Sequence, residues 1–184
     1  MKIESDLFEL ETNSNFIFYV NEFDENEDNR SLFFSRANNF HYSQSAILLG
    51  QIECVGGSIE DGIFDRIHEA KSIEVEERAG YIEEPEDEAP FEFSTTFNSD
   101  AGLEVHHHLV RDGGHGFVLL VTLFSGFLDP DIDDVRELLS SVSCKRTIAT
   151  PIFGELIPIQ VQSDHQNSRV GKRVILNPLE IHNQ

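Results

Sequence analysis

Basic residues are scarce in this chain. Thirteen Lys and Arg stand against thirty-four Asp and Glu, a formal net charge of −21 with histidine neutral. A field of that sign repels nucleic-acid phosphates and anionic membranes, which argues against partners of either kind. No apolar run approaches eighteen residues, so no transmembrane helix is expected. The opening "MKIESDLFELETNSNF" has no basic head followed by an apolar stretch and does not read as a secretory signal. The two cysteines, Cys54 and Cys144, show no CxxC spacing. A reduced, cytoplasmic protein follows, with both thiols as buried small side chains. There is no GxSxG, Walker A, GxGxxG or HExxH, and paired carboxylates carry no information in so acidic a chain. No catalytic residue, enzymatic activity or cofactor is expected.

What is present is a core. The chain has 184 residues, of which 39% are hydrophobic, and fifteen Phe spread along it. That is enough for one packed domain, or one domain and an appendage. The acids are unevenly placed. Residues 143–184 hold three acids and five bases, so the excess lies before them. It is densest in two runs, "DENEDN" (residues 24–29) and "EEPEDEAP" (residues 83–90).

The pattern along the chain alternates strands and helices. "NFIFYVNEF" and "RSLFFSRANNF" read as a strand hairpin around the first acidic run. "SAILLGQIECVGG" reads as a third strand ending at Gly56-Gly57. Those glycines precede a capped helix and could hold an anion. A plain turn is preferred, because Glu60 and Asp61 would oppose one.

The helix starts at Ser58, whose S-x-x-D spacing with Asp61 is a capping pattern. Ile59, Ile63, Ile67 and Ala70 follow at helical spacing. The helix is expected to end near Ala70–Lys71, with "SIEVEER" returning to strand alternation. "FEFSTTF" is a further strand. "LEVHHHLV" and "FVLLVTLFSG" form a hairpin around Asp-Gly-Gly. "LDPDIDDVRELLSSV" is the clearest helix, with Asp129 as N-cap, Pro130 in the first turn, and Ile132, Val135, Leu138, Leu139 and Val142 in one apolar stripe. The last 38 residues, with "PIFGELIPIQVQ" and "KRVILNPLEI", read as an added β-hairpin, whose apolar residues, Ile152 and Phe153 among them, are too many to leave in water and are expected to be buried on the domain.

Four of the eight histidines fall in "GLEVHHHLVRDGGHG". On a strand, His106 and His108 share a face and His107 takes the other. Two imidazoles two strand rises apart, about 7 Å, can converge on one ion. They are therefore the weak candidates for a metal site. The simpler reading is a histidine-rich strand, with Asp112 where a hairpin turn favours Asp and His115 as a turn residue.

The order of elements, a hairpin, a helix, consecutive strands and then "GFVLLVTLFSG" running directly into "DPDIDDVRELLSSV", resembles the PsbP-like α/β sandwich. That family includes DcrB-like proteins and the EagR-type chaperones of type VI secretion. The resemblance covers about residues 5–146 and carries over no catalytic residues. It implies an α+β fold, an antiparallel sheet with two helices packed on it (1–146). The chain departs from that pattern in the acidic loop Glu83–Glu88 and in residues 147–184, which read as a C-terminal β-hairpin packed on the same domain. Charge then points to a basic protein partner. The function expected first is an immunity protein that neutralises a basic bacterial toxin by occlusion. Its partner-binding patch would be Asp24, Glu25, Glu27 and Asp28 with Glu83, Glu84, Glu86, Asp87 and Glu88. The alternatives are an EagR-like secretion chaperone for a type VI effector and a metal-binding enzyme built on His106 and His108.

Overall fold

The computed structural model describes residues 2–11, 16–21, 30–36, 49–79, 93–99, 102–114, 116–124, 129–145, 152–161 and 173–175. In chain order these form β1 (Lys2–Glu4), β2 (Phe8–Glu11), β3 (Phe16–Asn21), β4 (Ser31–Arg36), β5 (Gly50–Gly56), α1 (Ile63–Ala79), β6 (Phe93–Ser99), β7 (Gly102–Gly114) and β8 (Phe117–Leu123). They continue with α2 (Asp129–Ser140), β9 (Ser143–Cys144), β10 (Leu156–Ile157) and β11 (Arg173–Ile175). The fold is α+β, two helices with antiparallel sheets.

The main sheet runs β11-β3-β4-β5-β8-β7-β6, and β10 joins β5 where β4 ends. A small sheet, β1-β2-β9, forms a second layer. Strand alternation sends successive side chains of the main sheet to opposite faces, and both faces are covered. On one, Phe16, Phe18, Leu32, Phe34, Ile52, Leu119 and Val121 pack with Ile132, Val135, Leu138 and Leu139 of α2 and with Ile3, Phe8 and Leu10 of the small sheet. On the other, Val55, Phe93, Val110, Val118 and Leu120 pack with Ile63 and Ile67 of α1. Coverage on both sides explains why every residue of β8 is buried and why its sequence is apolar without alternation. Arg36 of β4 pairs with Asp134 of α2 and lies over the Phe16 ring, which fixes that helix on the sheet. Among the described residues no helix is long and apolar enough to cross a membrane.

The expected helix boundary is corrected. The Ser58–Asp61 capping contacts form, with the Asp61 N–H donating to Ser58 Oγ at 3.2 Å and the Ser58 hydroxyl donating to Asp61 Oδ2 at 2.7 Å. They close a turn through Gly62, at φ 80°, and the helix begins only at Ile63. "SIEVEER" is not a strand but the continuation of α1 to Ala79. Its Glu and Arg residues favour helix, Ile73 faces solvent, and Ser72 Oγ back-bonds the His68 carbonyl at 2.9 Å. The alternation there does not mark a buried strand face, since Ile73 is 48% exposed.

The C-terminal segment is also arranged differently from a hairpin. β10 pairs with β5 and β11 pairs with β3, so the two strands extend the main sheet at separate places. Residues 152–161, which include β10, bind the two sheets together. The Gly56 N–H donates to the Glu155 carbonyl at 2.9 Å, at the end of β5. At the other end the Asp6 N–H donates to the Gln160 carbonyl and the Gln160 N–H to Asp6 Oδ1, both at 2.9 Å, and Ser5 bridges Val161. Ile159 lies in the larger core, and Pro158 directly follows β10, where a missing donor is tolerated. Ile152 and Phe153, expected to be buried with the rest of this segment, are exposed.

Candidate functional site

The histidine strand is β7, and the hairpin expected there is present. Asp112 Oδ1 accepts the Gly114 N–H at 2.7 Å across the turn, and Gly114 and Gly116 take the positive φ the turn needs. The three histidines have three different environments. His107 faces the α2 side and its Nδ1 is 2.8 Å from Ser94 Oγ. Burial, and secondarily His106, lowers its affinity for a proton. His106, on the opposite face, is 3.5 Å from Glu104 and edge-on to Phe124.

His108 is fully buried on the α1 side. Its Nε2 is 3.0 Å from Thr95 Oγ1, its Nδ1 is 3.0 Å from Thr122 Oγ1, and its ring stacks on Phe93 at 4.5 Å between centroids. Burial holds its pKa well below the ordinary imidazole value, and the Lys71 ammonium adds to the effect. Both ring nitrogens are engaged by hydroxyls, so His108 has no free lone pair to offer an ion beside His106. Among the described residues no group of three or more His, Cys, Asp or Glu could hold a metal.

Strand pairing places His108 in a row across the face under α1. Gln51 of β5 is opposite Thr122 of β8, Thr122 is opposite His108, and His108 is opposite Phe93 of β6. One position along β5 on the same face stands Glu53, which is 5% exposed. Its Oε1 accepts from Ser31 Oγ at 3.0 Å, and Oε2 accepts no hydrogen bond. The Lys71 ammonium of α1 stands 4.0 Å from Oε2 and 3.1 Å from Glu74. Burial raises the Glu53 carboxyl above its ordinary value, and Lys71 opposes that shift. Sequence reading passed over Glu53, although its signal was visible: one acid inside the apolar strand "GQIECVG".

A carboxyl whose pKa is raised on folding stabilises the protein below its unfolded value, and that contribution is lost as the pH rises through the folded value. Glu53 therefore costs stability at neutral pH. Glu53→Gln keeps the bond to Ser31 and removes the buried charge. It is expected to raise unfolding stability by about 1 kcal/mol at pH 8, with the gain vanishing towards pH 4. Urea denaturation at the two pH values measures this. A variant less stable than wild type at pH 8 would mean that the Lys71 attraction outweighs desolvation.

The other expected sites are less concentrated. The amides of Gly56 and Gly57 donate to Glu155 and Gly116 carbonyls, so this turn offers no anion cradle. Cys54 is buried in the larger core and Cys144 is partly buried, and both are free thiols. The two acidic runs, with Asp24, Glu25, Glu27 and Asp28 and with Glu83, Glu84, Glu86, Asp87 and Glu88, lie outside the described residues. The described surface carries its own acids. Glu60, Asp61, Asp65 and Glu69 are exposed through the start of α1, with Arg66 among them. No protein-family model, curated protein or solved structure matches the chain.

Proposed function

We propose that the chain is an acidic, cytoplasmic protein-binding protein, an immunity protein that neutralises a cationic bacterial toxin by covering its active site. One observation carries this reading: the net charge of −21, with the whole acidic excess placed before residue 143. A field of that size raises the encounter rate with a positive partner and penalises wrong ones. The steering patch is assigned to the two acidic runs at 24–28 and 83–88. A helix on each face of an antiparallel sheet supports the PsbP-like reading of the element order, and with it a binding role. The metal-enzyme alternative draws no support from His108, whose nitrogens are both occupied. The chaperone alternative calls for an exposed apolar sheet face, whereas β8 is buried along its whole length.

The test is growth rescue. Cells expressing a cationic toxin domain encoded beside this chain should survive when the chain is co-expressed. Charge reversal in both acidic runs should weaken the rescue. Stabilisation of the neighbouring protein with its toxicity intact would favour the chaperone instead.

A further inference from the structure

The turn at residues 152–155 exposes two large apolar side chains that burial would ordinarily claim. Ile152 is 63% exposed and Phe153 48%. The turn itself is rigidly held. The Glu155 N–H closes on the Ile152 carbonyl at 3.2 Å, and Gly154 takes the positive φ of 82° that a type II turn requires at its third position. The Gly154 N–H donates to the Gly56 carbonyl at 2.8 Å, and the Gly56 N–H donates to Glu155, so the turn is pinned to the end of β5. The Phe153 ring rests against Gly57, where an added Cβ would stand 3.1 Å from it and 3.2 Å from Ile63. Ile59, 41% exposed, follows two residues later. The Arg66 stem crosses Gly154, and Arg66 is paired with Glu69 at 3.4 Å. Glu155 in the turn and Glu60, Asp61, Asp65 and Glu69 on the segment that carries Arg66 are all exposed.

We infer that Ile152 and Phe153 form the apolar centre of a docking surface whose acidic neighbours select a protein partner with an apolar pocket rimmed by Lys and Arg. The inference rests on the cationic-partner reading above and names a surface for it. Apolar side chains held in place before binding lose little freedom on docking, which is the property of interface residues that dominate affinity. The charge decides the occupant. A second copy brings another −21 to the contact, and an anionic membrane or nucleic acid is repelled in the same way.

The experiment uses the full chain and two labelled 14-residue peptides. One is an amphipathic Leu–Lys helix, and the other is the same peptide with every Leu replaced by Ser, which keeps the charge. In anisotropy titrations the wild type should bind the Leu–Lys peptide at least about tenfold more tightly than the Ser–Lys peptide. Both affinities should fall with salt. Ile152→Ser/Phe153→Ser should abolish the discrimination and leave Ser–Lys binding and its salt dependence unchanged. Ile152→Ser alone, at the most exposed position, should reduce the discrimination by about half on a logarithmic scale and guards against misfolding of the double variant. Discrimination that survives both variants overturns the surface and leaves the cationic-partner reading standing. A wild type that binds neither peptide, or binds without salt dependence, removes that reading and the inference with it. A wild-type dimer in sedimentation that the double variant dissolves, or binding to phosphatidylcholine vesicles lost in that variant, would assign the surface to a second copy or a membrane and overturn the proposal.

Discussion

Removing residues 147–184 is expected to cost at least about 4 kcal/mol of stability, a large part of the roughly 5–15 kcal/mol that holds a domain folded. The deletion takes Ile159 out of the larger core, worth about 1.5–3 kcal/mol by itself. Partly buried Leu156, Ile157 and Val161 are lost with it. It uncovers the β5 backbone at Cys54 and Val55, frees the outer side of β3, and cuts the link between the two sheets at Ser5 and Asp6. The entropy returned by an unfolded tail offsets part of this, and the estimate is set low for that reason. At roughly 2–4 °C per kcal/mol for a chain of this size, the melting temperature should fall by about 10 °C or more. Calorimetry of the truncated chain checks it. Melting at the wild-type temperature would mean that the segment is an appendage with no part in the cooperative unit.

The second large effect belongs to His108. Replacing it with Ala leaves the Thr95 and Thr122 hydroxyls, both buried, without their partner and removes the ring stacked on Phe93. Each stranded hydroxyl costs about 1–3 kcal/mol, and the cavity adds to that, so His108→Ala should lose about 3–5 kcal/mol at pH 7.5. The loss should shrink in acid. The folded-state pKa of His108 is lowered, so its contribution is present above the unfolded value near 6.5 and is lost as the pH falls towards the folded value. Within that window wild type should lose up to about 1.4 kcal/mol per pH unit through this group. The variant escapes that part of the loss. The threonine hydroxyls can turn to accept from either nitrogen, so it is burial and the Lys71 charge, rather than missing acceptors, that disfavour the imidazolium. Urea unfolding at pH 7.5 and 5.5 measures both claims. A difference between wild type and variant that does not change with pH would show that His108 titrates normally.

Parts of the fold were legible because local pattern and tertiary role coincide. In α2, Ile132, Val135, Leu138 and Leu139 form a helical stripe, and all four are buried against the sheet. The Asp112-Gly-Gly turn specified the hairpin of β7 and β8, and the apolar run at 117–123 became a strand buried on both faces. Other parts depend on partners far away in sequence. β1 and β2 are three and four residues long, and β2 pairs with Ser143–Cys144, so no local periodicity announces them. The second half of α1 was misread because Ile73 alternates with acids yet faces solvent. Ile152 and Phe153 were assigned to the core on hydrophobicity alone. Their exposure follows from the turn at Gly154 and its bonds to β5, which the sequence shows only as a glycine between Phe153 and Glu155. The same limit hid the site. An acid at position 53 was plain to see, but that it sits under α1 beside Lys71 depends on how helix and sheet pack.

The central claim is that an acidic field brings this protein to a cationic partner. The most direct measurement is the stopped-flow association rate with the toxin domain that the growth-rescue test would identify, taken between about 0.02 and 0.5 M salt. The account predicts a rate that falls at least tenfold across that range. It also predicts that charge reversal at Asp24, Glu25, Glu27, Asp28, Glu83, Glu84, Glu86, Asp87 and Glu88 lowers the rate at low salt and flattens the slope. A rate indifferent to salt, or untouched by those reversals, would contradict it.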